Sequence, residues 1–218
     1  LAKKMGDKEF EKEWKALPAQ IQKSFVEMFY LSEEGYLADY VDSYGKDTAI
    51  RCNQIVACGL PYTMLNQEHI VNILMTVRQH LLTPAGLRSL SPLHPMFEST
   101  YKENPIEQEA AATNGAVWVW PLMFYVECAL RLDGERFLPG AEEMLAAFDD
   151  NIQTYCIGSV AEYYDANPPF APRGAISQAW SVAGVLYMKE LVEKYKAKSK
   201  TKAKRATKST TAKKSVKK

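Results

Sequence analysis

Apolar residues along the chain recur at helical spacing. Phe10, Trp14 and Leu17 open a three-to-four pattern, and Ile21, Phe25 and Phe29 resume it after Pro18. Ile50, Ile55 and Val56-Ala57-Cys58 predict a second helix, stopped by Gly59-Leu60-Pro61. A third is predicted from Asn66 as N-cap, with Ile70, Leu74, Val77 and Leu81 on one face. Residues 115–132 are apolar all round, the mark of a helix enclosed by protein. A fifth helix follows Pro139-Gly140 with Met144, Phe148 and Ile152 inward. A sixth runs from about Gly174 to Tyr195 on a stripe of Ile176, Trp180, Ala183 and Tyr187. Alternating β-branched runs are absent, so the pattern predicts an all-α fold of about six helices.

The connections carry more information than the helices. Residues 31–48, 83–113 and 154–173 are far longer than the 2–8 residues that usually join packed helices. Their composition is not that of disorder, since they hold Tyr36, Tyr40, Tyr44, Phe97, Tyr101, Tyr155, Tyr163, Tyr164 and Phe170, with several prolines. They alternate with short connections at 61–66 and 133–140, as in antiparallel helical hairpins that present their long loops at one end. A site built of loops on a helical scaffold is the expectation.

Charge divides the chain in two. The net charge of +1 conceals a tail, residues 196–218, with eleven Lys or Arg and no acid; residues 1–195 keep 16 basic against 26 acidic residues, a net charge of −10. So acidic a body is a poor nucleic-acid binder, because that affinity rests on neutralising phosphates. The tail is expected to be disordered and solvated, with at most weak nucleic-acid binding. The predicted domains are therefore 1–195 and 196–218. Cys52, Cys58, Cys128 and Cys156 show no C-x-x-C spacing, and His69, His80 and His94 lie far apart, so no metal site is expected. Buried free thiols, the lack of an apolar leader and the lack of a membrane-length apolar run point to a cytoplasmic protein. A chain opening on Leu is expected to lack an upstream portion.

Three clusters carry candidate chemistry. In Thr154–Gly174, Glu162 and Asp165 stand three apart, ringed by aromatics and stiffened by Pro168, Pro169 and Pro172. Sugar rings stack on aromatic faces while carboxylates bond their hydroxyls, and glycoside hydrolysis uses two carboxyl groups. On composition alone, helix-cap or salt-bridge roles for these acids have the edge. The second cluster is Thr113-Asn114-Gly115-Ala116-Val117-Trp118-Val119-Trp120-Pro121, whose tryptophans by themselves fit a core. In the third, Ile50-Arg51-Cys52-Asn53-Gln54, an Arg at a helix start opposes the macrodipole and calls for a carboxylate partner.

Six segments, in order, resemble the C-terminal glucosidase domain of glycogen debranching enzymes (amylo-α-1,6-glucosidase). They are Tyr36-Leu37-Ala38-Asp39; Arg51-Cys52-Asn53-Gln54; the run from Leu82-Thr83-Pro84 to Ser91-Pro92; Asn114-Gly115-Ala116-Val117-Trp118; Gly158-Ser159-Val160-Ala161-Glu162; and Pro172-Arg173-Gly174-Ala175-Ile176-Ser177-Gln178-Ala179-Trp180-Ser181. The resemblance implies an (α/α)6 toroid, of which this chain supplies about the C-terminal half. It also implies inverting hydrolysis of α-1,6-linked glucose at branch points of glycogen or limit dextrin, with no cofactor. Glu162 would be the general base, and the general acid has no counterpart here. Arg51, Asn53, Gln54, Asn114 and Trp118 would line the pocket, joined by Tyr36, Asp39 and Asp165, while Trp120, Trp14 and Trp180 are read as core.

Some positions depart from the family pattern. Cys52 replaces a Pro, Ala112-Thr113 replaces Tyr-His, Val119 replaces the Pro of Trp-Pro-Trp, and Asp165-Ala166-Asn167 replaces Asp-Gly-Asp. A related glycosidase of other linkage, or a glycan-binding module without catalysis, are the alternatives.

Overall fold

A computed structural model of the protein describes residues 1–101, 104–155 and 157–215, the side chains of residues 150, 154 and 202–215 excepted. Short helices α1 (Ala2–Met5) and α2 (Lys8–Trp14) lead into α3 (Leu17–Phe29). Two small hairpins follow, β1–β2 (Tyr30–Leu31 with Tyr36–Leu37) and β3–β4 (Val41–Asp42 with Gly45–Lys46). Next come α4 (Gln54–Gly59), α5 (Gln67–His80), β5 (Leu82–Thr83), β6 (Gly86–Arg88), α6 (Pro105–Thr113) and β7 (Val117–Trp118). The remainder is α7 (Leu122–Thr154), β8 (Tyr163–Tyr164), β9 (Pro172–Arg173) and α8 (Ala179–Ser215).

The core is a helical stack. Helix α7 packs on α8, α4 and α5. Ile55 and Cys58, Ile73 and Val77, Leu122 and Val126, and Met188 with Val192 interlock and are almost fully buried. The predicted start of α5 holds: Asn66 Oδ1 accepts the His69 amide at 2.8 Å. Helix α7 is two helices meeting at Asp133, whose backbone leaves the helical region (φ −148°, ψ 73°). Its carboxylate accepts the Arg136 amide at 3.4 Å, so the predicted fourth and fifth helices meet at a kink instead of a loop. Cys52, Cys58 and Cys128 are buried and free, and Cys156 lies outside the described residues. Arg131 Nη2 donates to the Cys58 and Gly59 carbonyls at 2.9 and 3.1 Å and closes the end of α4.

Several expectations are corrected. The fold is helix-dominated but not all-α, because the long connections pair into an antiparallel sheet ordered β5-β6-β7-β8-β9. Each of its strands has two or three residues, too few for a period of two to register. Residues 115–132 are not one helix: Val117–Trp118 is the middle strand, paired to Leu87–Arg88 and Tyr163–Tyr164, and helix begins only after Pro121. Helix α8 starts at Ala179, not Gly174, and runs past Tyr195 to Ser215, so the tail expected to be disordered continues the helix through its described residues; α8 buries Val185, Met188, Leu191 and Val192. The predicted inward stripe is the open face, with Ile176 67% and Trp180 65% exposed. Both faces of that segment are apolar, and periodicity cannot choose between them. Helices α1–α3 likewise have no fully buried residue; Phe25 and Phe29, stacked at 5.2 Å, rest against the core while Phe10, Trp14 and Ile21 are exposed.

Candidate active site

The sheet and the loops around it border an open cavity of about 620 Å³. One wall is polar. Asp39, after β2, accepts from Asn53 Nδ2 at 3.0 Å and lies 3.5 Å from Arg51 Nε. Arg51 spreads its other nitrogens along the end of α6, donating to the Thr113 carbonyl at 2.8 Å and to Asn114 Oδ1 at 2.9 Å. The carboxylate partner expected for this arginine is therefore Asp39. Arg51 does not begin a helix; it forms an isolated bridge with Leu90, and α4 starts three residues later. The turn after Asn114 depends on Gly115, where a Cβ would overlap the Glu98 carbonyl, and whose amide donates to Ser89 Oγ at 2.8 Å.

The aromatic side of the cavity is built from β7. Trp118 Nε1 donates to the Ala112 carbonyl at 2.9 Å, and its ring leans on Tyr163, directly opposite in the sheet, at 5.1 Å. Burial, then Tyr101 and Glu162, push the Tyr163 hydroxyl up to about 12. Trp120 and Trp180 meet edge to face at 5.9 Å, and with Tyr40 and Gln178 they complete the lining.

Glu162 immediately precedes Tyr163 and is tied to the segment entering α8. Its amide donates to the Ala175 carbonyl at 3.0 Å, its Oε2 accepts the Ala175 amide at 2.8 Å, and its carbonyl accepts from Ser181 Oγ at 3.2 Å. One carboxylate oxygen is thus fixed by a backbone N–H. Such a half-buried, oriented carboxylate is suited to taking a proton from water.

The structure brings Asp39, Arg51, Asn53, Asn114 and Trp118 to one cavity, while Glu162, the residue before Tyr163, is not itself on the lining. The other expected contacts face elsewhere. Gln54 is buried, donating to the Arg51 carbonyl at 2.9 Å and accepting from the Leu37 amide at 3.5 Å. The Tyr36 hydroxyl donates to the Thr48 carbonyl at 2.9 Å. Asp165 is buried in a two-pronged pair with Arg173 (2.8 and 3.1 Å to Oδ2) and accepts the Tyr101 amide at 2.8 Å. Tyr40, Ser89, Trp120, Gln178 and Trp180 line the cavity without having been singled out for it. Among the described residues, no three His, Cys, Asp or Glu side chains are grouped to hold a metal, and no helix is long and apolar enough to cross a membrane.

A family model described as amylo-alpha-1,6-glucosidase matches residues 1–187. No curated protein sequence matches the chain. Among solved structures, neutral trehalase Nth1 from Saccharomyces cerevisiae is similar, with a TM-score of 0.55 at 18% identity over 84% of this chain. The chain spans 30% of the trehalase's length, and the likeness is one of fold.

Proposed function

The chain belongs to the amylo-α-1,6-glucosidase family, and from that premise we propose that it supplies part of the active site of a glycogen-debranching glycoside hydrolase. The reaction is inverting hydrolysis of α-1,6-linked glucose at branch points of glycogen or limit dextrin in the cytoplasm. In this reading the helices form about half of an (α/α)6 toroid, and the cavity is its mouth. The Lys-rich tail, residues 196–218, takes no part in the reaction.

The observation that carries the reading is the setting of Glu162. Oε2 is held by the Ala175 amide, while Oε1 has no hydrogen-bond partner among the described residues. The free oxygen takes a proton from water as the water attacks the anomeric carbon, on the face opposite the leaving oxygen. A second carboxyl group, contributed from outside these residues, protonates that oxygen. Inverting enzymes hold the two carboxyls roughly 6.5–9.5 Å apart to admit the water. The Arg51–Asp39–Asn53 wall and Asn114 bond the hydroxyls of the glucosyl ring, and Trp118 stacks on its apolar face. No cofactor enters this chemistry.

Ala112 and Thr113 line the cavity where the family pattern carries Tyr-His, and this favours a different linkage preference as the second reading. The test is glucose release from branched limit dextrin by the full-length protein, with Glu162→Gln beside it. Glucose from the wild type and none from the variant, with binding retained, is expected, because the amide keeps the shape but cannot accept the proton. Unchanged turnover in Glu162→Gln removes the general-base role. Binding without hydrolysis by the wild type identifies a glycan-binding module, and hydrolysis only of other linkages establishes the second reading.

A further inference from the structure

Trp180, expected in the core, lines the cavity instead. It stands at the first turn of α8, beside Trp120 and Gln178 on the cavity lining. Its position is held. The ring meets Trp120 at 5.9 Å and 86°, the edge-to-face geometry aromatic pairs favour. Trp120 in turn meets Phe124 at 6.3 Å and 90°. Helix α8 approaches this segment closely, since a Cβ on Gly184 would lie 3.2 Å from the Trp120 Cα. The Gln178 side chain accepts the Trp180 amide at 3.1 Å and fixes the helix start. A rigid, outward-facing indole on a second indole is a platform for a flat, partly apolar ligand.

The cavity beside it has two chemically distinct parts. The polar wall of Asp39, Arg51, Asn53 and Asn114 suits the hydroxyls of one sugar ring, whereas Trp120, Trp180 and Tyr40, the last 52% exposed, form an aromatic rim. Its volume of about 620 Å³ lies inside the roughly 300–1,000 Å³ range of ligand pockets. We propose that Trp180, braced by Trp120, stacks on a glucosyl unit beyond the one held at the Arg51 wall, so that the site selects an α-glucan chain over a single sugar. The inference rests on the glucan-site reading above and assigns Trp180 the chain-length preference within it.

The experiment is isothermal titration of the full-length protein, wild type, Trp180→Ala and Trp180→Phe, with maltohexaose and with the single-ring mimic 1-deoxynojirimycin. Trp180→Ala is expected to weaken maltohexaose about tenfold, the scale of one lost stacking contact. The loss is confined to the long probe, and Trp180→Phe restores most of it. Equal loss for both probes, or no loss for either, overturns the platform. A wild type that binds neither probe overturns the glucan-site reading itself, an outcome distinct from the other two.

Discussion

Gly174 and Glu162 are in near contact: a Cβ on Gly174 would fall 2.5 Å from Oε2 of Glu162 and 2.9 Å from its Cβ. Gly174 also sits at φ +69°, a left-handed conformation that side chains disfavour. The carboxylate reaches the Ala175 amide only because position 174 has no side chain.

The substitution Gly174→Ala therefore moves the proposed base without removing it. Displacements of about 1 Å at a reacting group cost on the order of 100-fold in rate. The expected result is a fall in kcat of that size with a smaller change in KM, together with about 1–2 kcal/mol of lost stability from the left-handed backbone. Steady-state kinetics beside thermal melts check this. Full activity in a folded Gly174→Ala would show that the Glu162 carboxylate is not where the reaction needs it.

Arg51 gathers the polar wall by pointing three nitrogens in three directions, at Asp39, the Thr113 carbonyl and Asn114. A lysine carries the charge as a single point and cannot span these acceptors. Arg51→Lys should weaken binding of 1-deoxynojirimycin about tenfold and cost about 1–3 kcal/mol, from acceptors left without donors. Calorimetric titration and urea unfolding read the two effects. An unaltered affinity would mean that the wall is shaped by Asn53 and Asn114 without the guanidinium.

What could be read from the sequence follows from how each feature is encoded. The start of α5 was legible because one side chain, Asn66, caps it locally. The convergence of Asp39, Arg51, Asn114 and Trp118 was legible only through the order of motifs, since the contacts joining them span tens of residues and leave no local period. The five-stranded sheet was illegible because its strands are two or three residues long and arise from pairing between distant loops. Trp180 was misread for another reason. Helical periodicity identifies an apolar stripe but not which of two apolar faces packs on the neighbouring helix.

Asp165 illustrates the same limit from the opposite side. It lies three residues from Glu162 yet turns away, buried between Arg173 and the Tyr101 amide. Its work is to hold β9 and the Tyr101 segment together. Asp165→Asn should lower stability by about 2 kcal/mol, because Arg173 loses its charge-assisted hydrogen bonds. Glycan affinity of the folded protein should stay within about twofold. This is the reverse of the pattern expected for Glu162→Gln. Urea unfolding and calorimetric titration of the two variants side by side check the contrast, and a binding defect in a stably folded Asp165→Asn would return Asp165 to the pocket.

Tyr163 offers a test by pH. Burial, Tyr101 and Glu162 hold its hydroxyl protonated to about 12, whereas an unfolded tyrosine ionises near about 10. Between these values the unfolded chain has released a proton that the folded chain retains, so stability declines as pH rises. The stabilisation is complete below about pH 10 and is lost towards pH 12. Tyr163→Phe removes this titration together with the polar interaction of the phenol with Tyr101. At pH 8 the variant should be weaker by about 1 kcal/mol, the net value of one hydrogen bond. Its urea midpoint should then fall less steeply than that of the wild type, so the two curves draw together from about pH 10 upward and meet before pH 12. Other tyrosines titrate in both proteins and cancel. A gap that stays constant from pH 8 to 11.5 would mean that the phenol stacked against Trp118 is open to water, and that the sheet does not shield the approach to Glu162.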